Sequence, residues 1–149
     1  MRRFVLTGLV VAALASPASA LAQEAGARGN ADIQSATILG TVSIPRSVRV
    51  DGKPLPRGTY QIRLAAELPP PVVGQSPDAA RYVEFVKAGK VVGREVATVV
   101  SNQEIAAIAE SRRPAANTVK VETLKGNDYL RVWINRAGAN YLIHLPTAA

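Results

Sequence analysis

The chain has 149 residues, with 18 Lys and Arg against 11 Asp and Glu, one His, one Trp and no Cys, for a formal net charge of +7. The missing cysteine excludes disulfides, a thiolate metal site, a thiol nucleophile and a lipidated N-terminal Cys. The basic residues are scattered among apolar and acidic ones, which argues against nucleic-acid binding and leaves weak attraction to anionic surfaces as their use.

The N-terminus, MRRFVLTGLVVAALASPASALAQ, joins Arg2-Arg3 to an apolar run from Phe4 to Ala15 and then to small residues. This predicts a secretory signal peptide over residues 1–22, cleaved after Ala20 or Ala22. The run is shorter than the span of about 20 residues that a membrane helix needs, so no membrane span is expected. Phe4 follows the arginine pair directly, which favours general secretion over the twin-arginine route. The expected location is periplasmic or extracellular. Residues 23–36, QEAGARGNADIQSA, are polar and aperiodic and read as a flexible leader. Residues 37–149 are long enough for a single domain with its own core.

From Thr37 apolar residues alternate. Ile38, Val42 and Ile44 form one strand, interrupted by Pro45, and Val48 and Val50 resume the pattern. In VDGKPLPRGTYQIRL, Asp51-Gly52 predicts a turn, and Pro54 and Pro56 keep their segment out of any central strand. Leu55 is the expected plug into the core, and Tyr60, Ile62 and Leu64 make the next strand. This stretch is read as a structural corner rather than a binding loop, since it feeds no helix N-terminus and clusters no ligands. Residues 67–80 form a Pro-rich break, and its three consecutive prolines favour polyproline II geometry. Such a loop is either a surface connection or functional.

Residues 81–100 predict a hairpin turning at Ala88-Gly89. A plain two-residue turn would set Val83 opposite Arg94, so a bulge or a longer loop is needed. Ser101 and Glu104 have capping-box spacing, which predicts a short helix over 102–110, closed by Arg112-Arg113-Pro114. TVKVETL, YLRVWINR and YLIHLP then predict a three-stranded meander. With Gly126-Asn127 as the first turn, Val119 faces Ile134 and Val121 faces Val132. With Gly138-Ala139 as the second, Ile134 faces Ile143 and Val132 faces Leu145. Both registers turn Val119, Val121, Leu130, Val132, Ile134, Tyr141, Ile143 and Leu145 inward.

The opposite face of the meander holds the main candidate site. It gathers Lys120, Glu122, Tyr129, Arg131, Trp133, Asn135, Leu142 and His144, with His144 expected opposite Trp133. Tyr129, Arg131, Trp133 and His144 are the candidate ligand-binding residues, because aromatic rings flanked by hydrogen-bonding groups suit a sugar or another flat amphipathic ligand. Two plainer readings compete: a solvated face with cross-strand pairs, or a face covered by the 102–110 helix. No catalytic residues are expected, because no serine lies in a GxSxG context. No metal site or other cofactor is expected, because clustered ligands are missing.

The order of segments, with GTVSIPRSVRVDGKPLPRGTY early and LKGNDYLRVWI late, is similar to a group of exported bacterial β proteins that share a GKxLPxGxY segment. That resemblance covers Thr41 to Pro146, and the 67–80 loop departs from it. It implies a β fold and export and brings no activity.

These readings predict an all-β domain: a single antiparallel β-sandwich or partly open barrel of about seven strands, with one short helix near 102–110. The expected function is a non-enzymatic exported β-sandwich binding or assembly module, whose partner is an envelope protein or glycan. One alternative is a carbohydrate-binding module using the aromatic face around Trp133. A second is a small envelope hydrolase.

Overall fold

The structure is a computed structural model that describes residues 37–109 and 111–148. The expected signal peptide and the leader lie outside the described residues. The elements in chain order are β1 (Ile38–Ile44), β2 (Val48–Val50), β3 (Lys53–Leu55), β4 (Gly58–Leu64), β5 (Ala80–Lys87), β6 (Lys90–Ser101), α1 (Asn102–Ile108), β7 (Thr118–Thr123), β8 (Tyr129–Arg136) and β9 (Ala139–Pro146). Seven strands form one antiparallel sheet in the order β1-β4-β5-β6-β9-β8-β7, while β2 and β3 pair as a separate ribbon.

The sheet curls until its two edges approach, giving an all-β barrel that is nearly closed. The seam lies between β1 and β7. A Cβ added at Gly40 on β1 would stand 2.9 Å from Val119 Cγ2 on β7, so the glycine permits the close approach. The interior holds the alternating residues that the sequence marked. Val42, Ile44, Tyr60, Ile62, Val83, Phe85, Leu130, Val132, Ile134, Ile143 and Leu145 are all buried, with Val119, Val121, Leu64 and Tyr141 against them. Tyr60 and Phe85 meet edge to face at 6.3 Å.

One end of this barrel is plugged. Asp51 and Gly52 take φ of 51° and 70° in the turn joining β2 to β3, the left-handed pair that a type I′ turn requires. The ribbon they close carries Val48, Val50 and Leu55 inward, each fully buried. Gly93 of β6 accepts the ribbon, since a Cβ there would lie 2.7 Å from Val50 Cγ1. The C-terminus ties the plug down: Val48 bridges to Thr147, and the Ala148 N–H donates to the Ser47 carbonyl at 3.0 Å. The Tyr60 hydroxyl donates to the Pro56 carbonyl at 2.6 Å. VDGKPLPRGTY is thus a structural corner, with Leu55 as its plug.

Two registers needed the structure. In the β5–β6 hairpin, Phe85 pairs with Gly93 but Val86 with Val91. The extra residue, Val92, is a bulge that moves Val83 from Arg94 to Glu95 and lets Glu84 face Arg94. In the meander, β7 and β8 pair as expected, with Val119 on Ile134 and Val121 on Val132. The second turn differs. It is Ala137-Gly138, with φ of 51° and 79°, not Gly138-Ala139. Ile134 therefore faces Tyr141, Val132 faces Ile143, and Trp133 faces Leu142. The slip is two residues, so the inward set is unchanged, but His144 now stands opposite Arg131 rather than Trp133.

Among the described residues, no helix is long and apolar enough to cross a membrane.

Candidate functional site

The candidate face is brought together, but as an interior rather than a platform. α1 begins at a full capping box: the Glu104 N–H donates to Ser101 Oγ at 3.2 Å, and the Ser101 N–H donates to Glu104 Oε2 at 3.1 Å. This start aims Ile105 down onto the outer face of the meander, where it forms a second small core with Trp133 and Leu142, edged by Val100 and Ala109. Trp133 is 0% exposed. A ring so covered offers no surface for stacking against a sugar, which corrects the expectation of an aromatic platform centred on it. The physical reason is area: an indole left in water beside an apolar helix face gains more by being covered.

The polar groups of Trp133 and its neighbours follow from that burial. The Trp133 indole N–H donates to Asn140 Oδ1 at 3.0 Å. Asn140, itself fully buried, donates through Nδ2 to Asn102 Oδ1 at 3.0 Å and to the Val100 carbonyl at 3.3 Å. Asn135 Nδ2 donates to the Pro114 carbonyl at 2.9 Å, fastening the segment after α1 across the sheet. Sequence reading gave neither Asn140 nor Asn102 a side-chain role. The available signal was the indole N–H, which needs an acceptor once it is buried.

Cations flank the same ring. Lys120 Nζ lies 5.9 Å and Arg131 Cζ 5.3 Å from the Trp133 ring. Both also hold Glu122, Lys120 Nζ at 2.6 Å and Arg131 through Nε at 2.9 Å, while Ser111 Oγ donates to the carboxylate at 2.7 Å. Burial alone would raise the Glu122 pKa, but hydrogen bonds from Lys120, Ser111 and Arg131 outweigh it and bring the carboxyl down to about 2. His144 sits exposed at the rim beside Arg131; desolvation, with the Arg131 charge, pushes its pKa down. Tyr129 is half exposed at the far end of β8, opposite Pro146. Of the four predicted residues, Arg131 and Trp133 touch, His144 neighbours Arg131, and Tyr129 stands apart. Among the described residues, no three His, Cys, Asp or Glu side chains gather as a metal site would require.

What stays open lies beside this network. A cleft of about 670 Å³ runs between α1 and residues 111–117 and reaches the β8–β9 turn. Ile105, Ala106 and Ala109 give it an apolar wall, Asn102 and Asn117 add amides, and Arg112 and Arg113 stand at its rim. Among the described residues no acid pairs with either arginine, although Arg113 Nη1 reaches the Asn102 carbonyl at 3.4 Å. The sequence presented Arg112-Arg113-Pro114 only as a helix stop, because nothing local says that the chain then folds back over the sheet. The size suits a small ligand or a short peptide segment, and the mixture of apolar wall, amides and guanidinium groups suits one bearing an anionic group. Comparisons with protein-family models, with curated proteins and with solved structures find no match to this chain.

Proposed function

We propose that the protein is a non-enzymatic exported module that binds or assembles with an envelope component, and that the cleft beside α1 is its contact surface. The observation that carries this reading is the contrast within one face. Glu122, Lys120, Arg131, Trp133 and Asn140 are engaged with one another, whereas Arg112 and Arg113 edge an open cleft. The N-terminal signal pattern and the resemblance of the GKPLPRGTY segment to exported β proteins support the location. The test is an amide chemical-shift titration of the purified protein with anionic envelope glycan fragments and with acidic peptides. Shifts confined to Asn102, Ala106, Arg113, Ala116 and Gly138, and abolished by Arg112→Ala with Arg113→Ala, are the expected result. Shifts elsewhere, or none, would count against the cleft. Turnover of glycoside, ester or peptide substrates that disappears in His144→Ala would replace the reading with the hydrolase one.

A further inference from the structure

The connection from β4 to β5 is the longest in the barrel without a helix or strand of its own, and its composition is unusual for an exposed loop. From Leu68 to Pro77, LPPPVVGQSP, it carries no charge. Its four prolines remove four backbone N–H donors. The chain does not run on extended past the prolines, as a polyproline II ligand would. The Gln75 N–H donates to the Val72 carbonyl at 3.0 Å, and Gly74, at φ 82°, supplies the left-handed third position of a type II turn. A second turn follows with Pro77 in its second position, closed by the Ala79 N–H on the Ser76 carbonyl at 3.0 Å.

Both ends of the loop are fastened. Glu67 Oε2 meets Arg94 Nη1 at 2.7 Å, Asp78 pairs with Arg81 at 3.4 Å, and the Val99 N–H donates to the Ala79 carbonyl at 2.8 Å. The tip between them is apolar and uncovered: Val73 is 102% exposed, Val72 64% and Leu68 54%. A turn that sets a valine fully into water has no folding reason for that choice, since turn positions of this kind are filled as readily by polar residues.

We propose that this loop is a bilayer contact, with the Val72-Val73 tip seated at the boundary between headgroups and acyl chains of an anionic membrane. Three features select lipid over a protein groove. Protein modules that read proline-rich chains take an extended ridge, whereas this chain folds back immediately after Pro71. Entering the interface is costly for unpaired backbone polar groups; the prolines remove four N–H donors, and the two turns pair two further N–H groups with the Val72 and Ser76 carbonyls. Without Arg2 and Arg3 of the expected signal peptide the chain keeps 16 basic against 11 acidic residues, a net +5 that adds attraction to anionic headgroups without placing a charge in the tip. Ser76, Asp78 and Ala79 share a hollow of about 350 Å³ with Ser101 and the β8–β9 turn. The loop therefore stands at the same end of the barrel as the cleft, and a seated tip would hold that cleft close to the bilayer.

The experiment uses the full chain with Val73→Trp as a local reporter, mixed with vesicles of phosphatidylethanolamine and phosphatidylglycerol. The native Trp133 is buried and supplies a constant background, and an unchanged far-UV spectrum shows that the barrel is intact. A blue-shifted emission that brominated acyl chains quench is the expected result, with quenching reduced about threefold or more when Val72→Asp is added. An introduced indole that keeps its water-exposed emission and escapes quenching would overturn the proposal, even if the chain floats with the vesicles. Quenching that Val72→Asp leaves untouched would overturn it too.

Discussion

The two ends of the barrel are built on different principles. At one end, strands are joined tightly at 88–89 and at 124–128, and the β2–β3 ribbon is pressed between β6 and β9 with three fully buried side chains. At the other lie the start of β1, the 65–79 loop, α1, residues 111–117 and the Ala137-Gly138 turn. The first end is closed by apolar burial. The second closes its outer face with amides, and leaves a cleft and an apolar tip open. Stability should therefore concentrate at the plugged end and along the seam, and tolerance of substitution at the loop end.

The sharpest way to break that division is Leu55→Ala. It removes a fully buried side chain from the plug, and a loss of about 2–5 kcal/mol in urea denaturation is expected. An effect near zero would mean that the ribbon is an ornament. Gly40→Ala tests the seam next. The new methyl must displace Val119, which is expected to cost about 1–3 kcal/mol. A neutral result would mean that β1 and β7 can part without penalty.

On the outer face of the meander, toward the 124–128 turn, the carboxylate to test is Glu122. Its folded pKa, about 2, lies below the unfolded carboxyl value, so its stabilisation is present above roughly pH 4.5 and is lost as pH falls toward 2. With solvent screening on this half-open face, the loss is expected to be about 1–2 kcal/mol. Glu122→Gln should remove that portion of the pH dependence, read from urea midpoints between pH 5 and pH 2.5, about half a unit above the folded pKa. If the acid limb is identical in the variant, the triple contact to Glu122 contributes nothing. Ser101→Ala removes the cap that aims Ile105 onto Trp133 and is expected to cost about 1 kcal/mol. A shift of Trp133 emission toward that of exposed indole should accompany it.

The plugged end was the more legible in sequence, and the reason is physical. Alternation, Asp51-Gly52 and the paired prolines each constrain the local backbone, and burial of Leu55 follows from that constraint. The loop end depends on contacts between distant segments. AGAN allows glycine in either central turn position, and a slip of two residues leaves the apolar face intact, so hydrophobic patterning could not choose between Gly138-Ala139 and Ala137-Gly138. That choice decides whether His144 or Leu142 meets Trp133, and with it whether the face looks like a binding surface. The covering of Trp133 by α1 was foreseeable only as one possibility, because the capping box fixes where the helix starts and not what it lies against. The pattern demanded a bulge or a longer loop in the 81–100 hairpin, but neither which of them nor its position at Val92.

The smallest expected effect tests the comparison from its other side. Val72→Ser and Val73→Ser change two strongly exposed apolar residues of the loop end, and each is expected to move stability by no more than about 0.5 kcal/mol. Asp51→Ala at the plugged end is the matched control. It too is exposed, yet it holds a left-handed turn position at φ 51°, where alanine lacks the local hydrogen bonding that suits aspartate to that region. Urea midpoints that fall for Asp51→Ala and stay fixed for both valine variants would show that exposure alone does not set the cost; the backbone task does. A marked loss in Val73→Ser would mean instead that the tip packs within the isolated protein, and the loop would then belong with the plug as a structural element.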